Sequence, residues 1–398
     1  LVDLVARCLS KDIEDRPAAP EAVETLRELL RDEPRPVDGF TTPYRGLLPF
    51  AERHAGLFFG RSSEVASFLE RLREVAVLPV VGPSGAGKSS FVRAGVIPRL
   101  RDQGRWVVIH VRPGPRPVEA LVAALQRADS EMSGPSTLWS EPTVRIKTQR
   151  RGRSEEAVSD TKAEVAEGVA RSLREYPGLL SVMLQQVAEA EESRVLLFVD
   201  QLEELYTLGA DDEGRRLFME AVCAAADDPL GPVRVIFTVR DDFLSSVGET
   251  EAGRSALGHL TILRAPEPAA LLEIVSQPLA GADHAFEDEE LPREMVAAVE
   301  GQTACLPLLE FACSRLWEAR DQEGKRLTRE AYESMGGVAG ALANHAEETL
   351  DALSKEHLSL ARQVLLRLVT PQGTKRSVSR GRLLEGIEAG GAEVLDRL

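Results

Sequence analysis

The octapeptide Gly82-Pro83-Ser84-Gly85-Ala86-Gly87-Lys88-Ser89 has the residue types and spacing of a phosphate cradle. Its glycines let successive main-chain N–H groups curl round an anion, and the helical segment that follows adds partial positive charge at its N-terminus. In that arrangement Lys88 neutralises β- and γ-phosphate oxygens, the Ser89 hydroxyl ligates Mg2+, and Ser90 is expected with the octapeptide among the nucleotide-binding residues. A second anchor for Mg2+ is expected on the neighbouring strand. Residues 195–199 form an apolar run that ends at Asp200 and continues as Gln201-Leu202-Glu203-Glu204. Asp200 is the candidate for the Mg2+ shell, and Glu203 or Glu204 for the group that orients or deprotonates an attacking water. A helix-capping Asp200 is the competing reading. Arg240, just past the run 233–239, is either a sensor near the γ-phosphate or an ion-pair partner of Asp241 or Asp242.

Residues so far apart in sequence converge only if a sheet brings strand ends together. Five short runs rich in β-branched residues, 77–81, 106–111, 195–199, 233–239 and 260–263, alternate with helical patterns. This predicts a parallel sheet covered on both faces, hence an α/β P-loop NTPase core with flanking helices over residues 51–265. From about residue 266 the pattern turns helical, with apolar faces at 271–275, 295–299, 308–317 and 361–369. It reads as a helical lid over 266–330 followed by a further small helical unit. Residues 33–50 hold Pro34, Pro36, Pro43 and Pro49 and are expected as a linker. Residues 1–32 read as two helices. A polar stretch over about 128–160 is expected as an insertion. Its Arg145, Lys147, Arg150, Arg151 and Arg153 either bind phosphate or an acidic partner, or form a solvated loop.

Composition narrows the function classes. The 398 residues carry a net charge of −16, which disfavours broad nucleic-acid binding. Cys8, Cys223, Cys305 and Cys313 form no CxxC pair and no HExxH occurs, so neither a disulfide framework nor a zinc site is expected and a cytoplasmic setting fits. No apolar run reaches the roughly 18–20 residues needed to span a bilayer. The chain opens at Leu1 directly on a helical pattern, from which the polypeptide is expected to extend upstream. The sole asparagine, Asn344, is followed by His345, so the guanine-reading NKxD motif is absent and ATP is expected over GTP. No LSGGQ-like signature precedes Asp200.

Several segments together resemble a known family. They are Pro43-Tyr44-Arg45-Gly46-Leu47 with Phe58-Phe59-Gly60-Arg61 and Glu64; the phosphate turn within VVGPSGAGKSSFVRAGVIPRL; DQLEEL; and Thr238-Val239-Arg240-Asp241-Asp242-Phe243. Leu306-Pro307-Leu308-Leu309-Glu310, Leu316-Trp317-Glu318 and Gly336-Gly337-Val338 complete the set. The pattern is similar to the novel STAND P-loop NTPases of bacteria, multidomain signalling switches related to the AP-ATPase and NACHT groups, from about Pro43 to the end. The resemblance implies an ATP-binding, slowly hydrolysing, Mg2+-dependent switch with Pro307 at the position that contacts adenine, and residues 331–398 as the start of a winged-helix-like unit. It implies ATP or ADP, linked sensor domains and further copies of the chain as partners. Separately, Arg7-Cys8-Leu9, Lys11-Asp12 and Arg16-Pro17 resemble the helices that close a Ser/Thr protein kinase domain, which implies a larger kinase–NTPase protein; the kinase catalytic motifs are absent here. A scaffold that holds nucleotide without hydrolysing it, or a nucleic-acid-binding regulator, are the alternatives.

Overall fold

The computed structural model of the protein describes residues 42–131, 162–226, 228–302, 304–369, 378, 380–387 and 390–397. Helix α1 (Ser62–Glu74) buries Val65, Phe68, Leu69 and Leu72, a stripe at helical spacing, and delivers the chain to strand β1 (Val77–Gly82). After the phosphate turn the chain is helical from Lys88 to Gln103, which we term α2. It begins as Lys88–Ser90, widens into a π-helical stretch at Phe91–Val96 and closes as Ile97–Gln103. Then come β2 (Trp106–Val111), α3 (Pro117–Glu131), α4 (Lys162–Glu175), α5 (Leu179–Ala190), β3 (Arg194–Val199), α6 (Asp212–Ala224), β4 (Val233–Arg240) and β5 (Thr261–Ile262). All five expected runs are strands. Helix α3 runs past the expected start of the insertion to Glu131, and the basic cluster at Arg145–Arg153 lies outside the described residues, as do the kinase-like residues 1–32.

The sheet is parallel with order β2-β3-β4-β1-β5. One expectation is corrected by it: the Asp200 strand is not the neighbour of the phosphate-turn strand, because β4 lies between them. Asp200 still reaches the site, since it sits at the strand end, where side chains project along the top of the sheet rather than above or below it. Alternation along the strands explains the two cores. On β3, Val195, Leu197 and Val199 face the layer containing Leu121, Leu125, Leu184 and Phe218, whereas Leu196 and Phe198 face α1 and α2 through Phe68, Phe91 and Val92. Burial on both faces is what allows unbroken apolar runs here.

Gly82 ends β1 where β5 passes close by, and a Cβ there would run into the Leu263 carbonyl oxygen. The Gly82→Ala variant is therefore expected to lose about 1–3 kcal/mol, a displacement of packed backbone. Urea unfolding without nucleotide measures it.

Beyond β5 lie α7 (Pro268–Gly281), β6 (Ala285–Phe286), α8 (Glu290–Ala297), α9 (Cys305–Glu318), β7 (Arg326–Leu327), α10 (Gly337–Asp351) and α11 (Lys355–Arg367). The sequence pattern did not anticipate the two-residue parallel pair β6–β7, because two residues are too few to show a period. Leu271, Met295, Leu309 and Leu316 share one buried cluster with Tyr332, Val338 and Ala341. Residues 42–50, expected as the end of a linker, are instead packed. Tyr44 is 1% exposed and donates its hydroxyl to the Val275 carbonyl, and the Phe50 amide donates to Ser90 Oγ at 3.2 Å. The prolines interrupt helical periodicity there without preventing burial of the aromatic rings between them. Among the described residues no helix is long and apolar enough to cross a membrane.

Candidate functional site

The turn between β1 and α2 closes with the Ala86 amide donating to the Pro83 carbonyl at 3.2 Å. Gly85 and Gly87 sit at φ +82° and +83°, a region where a side chain strains the backbone, so these two positions require glycine. Lys88 is 9% exposed and donates Nζ to the carbonyls of Gly82 (2.7 Å) and Pro83 (2.9 Å), folded back over its own turn. Burial lowers its pKa against the opposing pull of the Glu203 and Asp241 carboxylates. Ser84 is exposed, and Ala86 is buried with its carbonyl accepting from Arg61 Nη2 at 3.0 Å. The same Nη2 donates to the Arg264 carbonyl at 2.8 Å, so Arg61 ties the phosphate turn to the chain that leads into α7.

Although 111 positions apart, Ser89 and Asp200 meet: Ser89 Oγ donates to Asp200 Oδ1 at 2.6 Å. Thr238 Oγ1, from β4, donates to the same oxygen at 2.8 Å and accepts from the Gln201 amide at 2.8 Å. Strand β4, interposed between the two motifs, thus supplies the post on which Asp200 is held. Asp200 is fully buried, which by itself would raise its pKa. The neighbouring His110, the hydroxyls of Ser89 and Thr238 and the charge of Arg112 win, and the group is held down at about 2. Its other oxygen, Oδ2, has no hydrogen-bond partner; His110 Nε2 stands 3.8 Å away and Arg112 Nη2 3.6 Å.

The two glutamates part company. Glu203 is 8% exposed, lines the cavity in front of the phosphate turn and leaves Oε2 without a hydrogen-bond partner. Burial raises its pKa, opposed by Lys88 and by the Arg240 main chain and charge. Glu204 starts the short helix Glu204–Thr207 and turns to the end of β2 instead, where its carboxylate meets the Gly114 amide and Arg112. With the Gln201 amide oxygen toward Arg112, its nitrogen donates to Glu204 Oε1, both at 3.1 Å; this bridge uses Gln201 at φ +59°. Arg240 makes the ion pair of one of its two readings. Its guanidinium binds Asp242 (Nε–Oδ1 3.0 Å) and also lines the cavity. Its register partner is Gly82, so it stands beside the phosphate turn.

The cavity holds about 400 Å³. Its lining mixes polar residues and the glycines of the turn, Ser84, Gly85, Gly87, Lys88, Ser89, Glu203 and Arg240, with apolar ones, Leu48, Phe50, Phe58, Phe59, Ile274 and Pro307. Pro307 and Leu306, in the first turn of α9, press against the glycines of the turn; a Cβ on Gly85 would meet Pro307 Cγ at 3.4 Å, and one on Gly87 would meet Leu306 Cδ1 at 3.2 Å. Ser90 also lines the cavity, and its Oγ accepts from the Phe50 amide at 3.2 Å. Sequence reasoning did not single out Arg112 and His110 as site residues. A signal existed, because in a parallel sheet the residues just beyond each strand's C-terminal end line the ligand crevice, and Arg112 follows β2.

The donor set suits a hard divalent cation. A hydroxyl, an ionised carboxylate with an orphaned buried oxygen, and room for phosphate oxygens and water are what Mg2+ takes. Among the described residues no group of three or more His, Cys, Asp or Glu could hold a metal by itself, as expected where phosphate supplies part of the shell.

A five-stranded parallel sheet with this turn after its first strand and a carboxylate at the end of its third defines a P-loop NTPase. The chain belongs to the novel STAND NTPase 1 family, whose model matches residues 43–398. A search of curated protein sequences finds no match. Among solved structures, it is similar to the Aeropyrum pernix ORC1 protein in complex with DNA, at 17% identity and TM-score 0.45, covering 85% of this chain and 82% of that one. It is also similar to the Walker-type ATPase paby2304 of Pyrococcus abyssi, at 16% identity, TM-score 0.42 and coverage of 88% and 92%. Cdc6p from Pyrobaculum aerophilum superposes at 14% identity and TM-score 0.38, with 84% of each chain covered. The family assignment does not rest on these three.

Proposed function

We propose that the chain binds ATP with Mg2+ and hydrolyses it slowly, as the nucleotide switch of a larger cytoplasmic regulatory protein that carries a Ser/Thr kinase domain upstream. The observation that carries the reading is the 2.6 Å Ser89–Asp200 bond beside a buried lysine, with one buried oxygen each of Asp200 and Glu203 left without a hydrogen-bond partner. The main-chain amides from Gly85 to Ser89 bind phosphate oxygens, and Lys88 leaves its two carbonyls to neutralise them. Ser89 and Asp200 hold the Mg2+, which when bound offsets charge on the phosphates. Glu203 orients a water and takes its proton. Arg240 lies where it meets charge on the terminal phosphate. Glu204, engaged with Arg112 and Gln201, positions the loop. The apolar residues of the lining, Pro307 among them, take the base. Partners follow from the switch role: sensor or signalling domains and further copies of the chain.

Calorimetric titration of the protein with ATP–Mg2+ tests this. Lys88→Ala is expected to bind about 10- to 100-fold more weakly, the value of charge-assisted hydrogen bonds to phosphate. Equal affinity in the variant would overturn the proposal.

A further inference from the structure

Glu310 is a carboxylic acid buried in the wall of the nucleotide cavity. It sits one helical turn after Pro307 on α9, is 8% exposed, and lines the cavity. Its Oε2 accepts from the Arg45 amide at 3.0 Å. Another polar side chain of the lining, Arg61, is committed to Glu64 and to the carbonyls of Ala86 and Arg264. Pro307 presses on Gly85 of the phosphate turn, so Glu310 lies one helical turn along α9 from that contact, and a base in the cavity has in it a group that can answer its heteroatoms.

We propose that Glu310, as a neutral acid, reads the base, donating Oε1–H to a ring nitrogen of adenine while Oε2 also accepts from the adjacent amino group. This deepens the ATP reading above and rests on it. A protonated carboxyl offers one donor beside one acceptor, the same pair as a glutamine amide, and glutamine matches adenine N7 and N6 in this way. Guanine presents two acceptors, N7 and O6, on that edge, and an ionised carboxylate presents acceptors alone, which the adenine ring nitrogen repels. The surroundings favour the neutral form. Burial pushes the Glu310 carboxyl up to about 7, against the Arg45 amide and charge. Tyr44, Arg45 and Cys313 face it from the packed elements, and neither buried Tyr44 nor buried Cys313 ionises near neutrality, since burial raises both. Also lining the cavity are Arg61, Arg112, Lys88, Glu203 and Arg240.

The sign of the pH effect follows. The protonated form binds, so ATP affinity is full below the Glu310 pKa and is lost as pH rises through about 7. The test is titration of the protein, and of its Glu310→Gln and Glu310→Ala variants, with ATP–Mg2+ and GTP–Mg2+ from about pH 6 to about pH 9. Glutamine keeps the donor–acceptor pair at every pH, so its profile reports the ionisation of the phosphate and of the other site groups without that of Glu310. Relative to Glu310→Gln, the wild-type affinity for ATP is expected to fall about tenfold per pH unit above the Glu310 pKa. Glu310→Ala is expected to bind ATP several-fold more weakly at the acid end and to lose preference over GTP. Parallel profiles for wild type and Glu310→Gln would overturn the role of Glu310 while leaving nucleotide binding intact. Absence of ATP binding at every pH in all three proteins, each melting cooperatively, would overturn the nucleotide reading and this inference with it.

Discussion

Glu203→Gln is expected to lower the rate of ATP turnover by about 10²- to 10⁴-fold, the usual contribution of a positioned general base, with ATP–Mg2+ affinity changed only a few-fold. Glutamine keeps the size of the side chain and its place in the cavity wall, so what is removed is the proton acceptor whose Oε2 is buried without a partner. Glu204→Gln provides the contrast. Its carboxylate is spent on the Gly114 amide, Gln201 and Arg112, so the effect on turnover is expected to be much smaller than for Glu203. Because burial raises the Glu203 pKa, the acid limb of the rate profile should lie above the ordinary carboxylate range, and it should vanish in Glu203→Gln. Single-turnover hydrolysis across pH measures both effects. If neither substitution changes the rate, the protein holds nucleotide without using these groups, which is the scaffold alternative.

Asp200→Asn is expected to weaken ATP binding by about 100-fold in the presence of Mg2+ and to leave Mg2+-free binding nearly unchanged. Asp200 is fully buried yet ionised, its pKa held at about 2, because donors surround Oδ1 and the guanidinium of Arg112 stands 3.6 Å from Oδ2. Asparagine preserves volume and can still accept from Ser89 and Thr238, so the fold should survive. It removes the charge, which is the part a cation needs. The measurement is the ratio of ATP affinities with Mg2+ and with a chelator. An unchanged ratio would remove Asp200 from the metal shell and restore its reading as a structural cap.

Much of this was legible in the chain before folding. The phosphate turn is contiguous, so its glycines, Lys88 and Ser89 declare themselves by spacing alone. The five strands were equally plain, since burial on both faces gives short β-branched-rich runs such as Val-Leu-Leu-Phe-Val that alternate with helical patterns. The helices after β5 showed through their apolar faces, which bury Leu271, Met295 and Leu309. What stayed hidden was of another kind. The pair β6–β7 is too short for any period, and Tyr44 is buried within a proline-rich stretch because its partner, the Val275 carbonyl, lies 231 positions away. Arg112 carries no motif at all.

The sequence by itself determined that a phosphate cradle exists, that hard oxygen donors accompany it, and that a parallel sheet carries them, because each of these is written in neighbouring residues whose local chemistry does not depend on the rest of the chain. Only the tertiary structure decided which residues share the cavity. By inserting β4 between β1 and β3 it made Thr238 the post for Asp200. By bending the chain after Gln201 it sent Glu203 to the phosphate turn and Glu204 to Arg112. By packing α9 against Gly85 and Gly87 it brought Glu310 to the wall of the nucleotide cavity. Strand order, backbone direction at a strand end and helix docking are set by the sum of many burial terms across the whole molecule, and no local spacing records that sum.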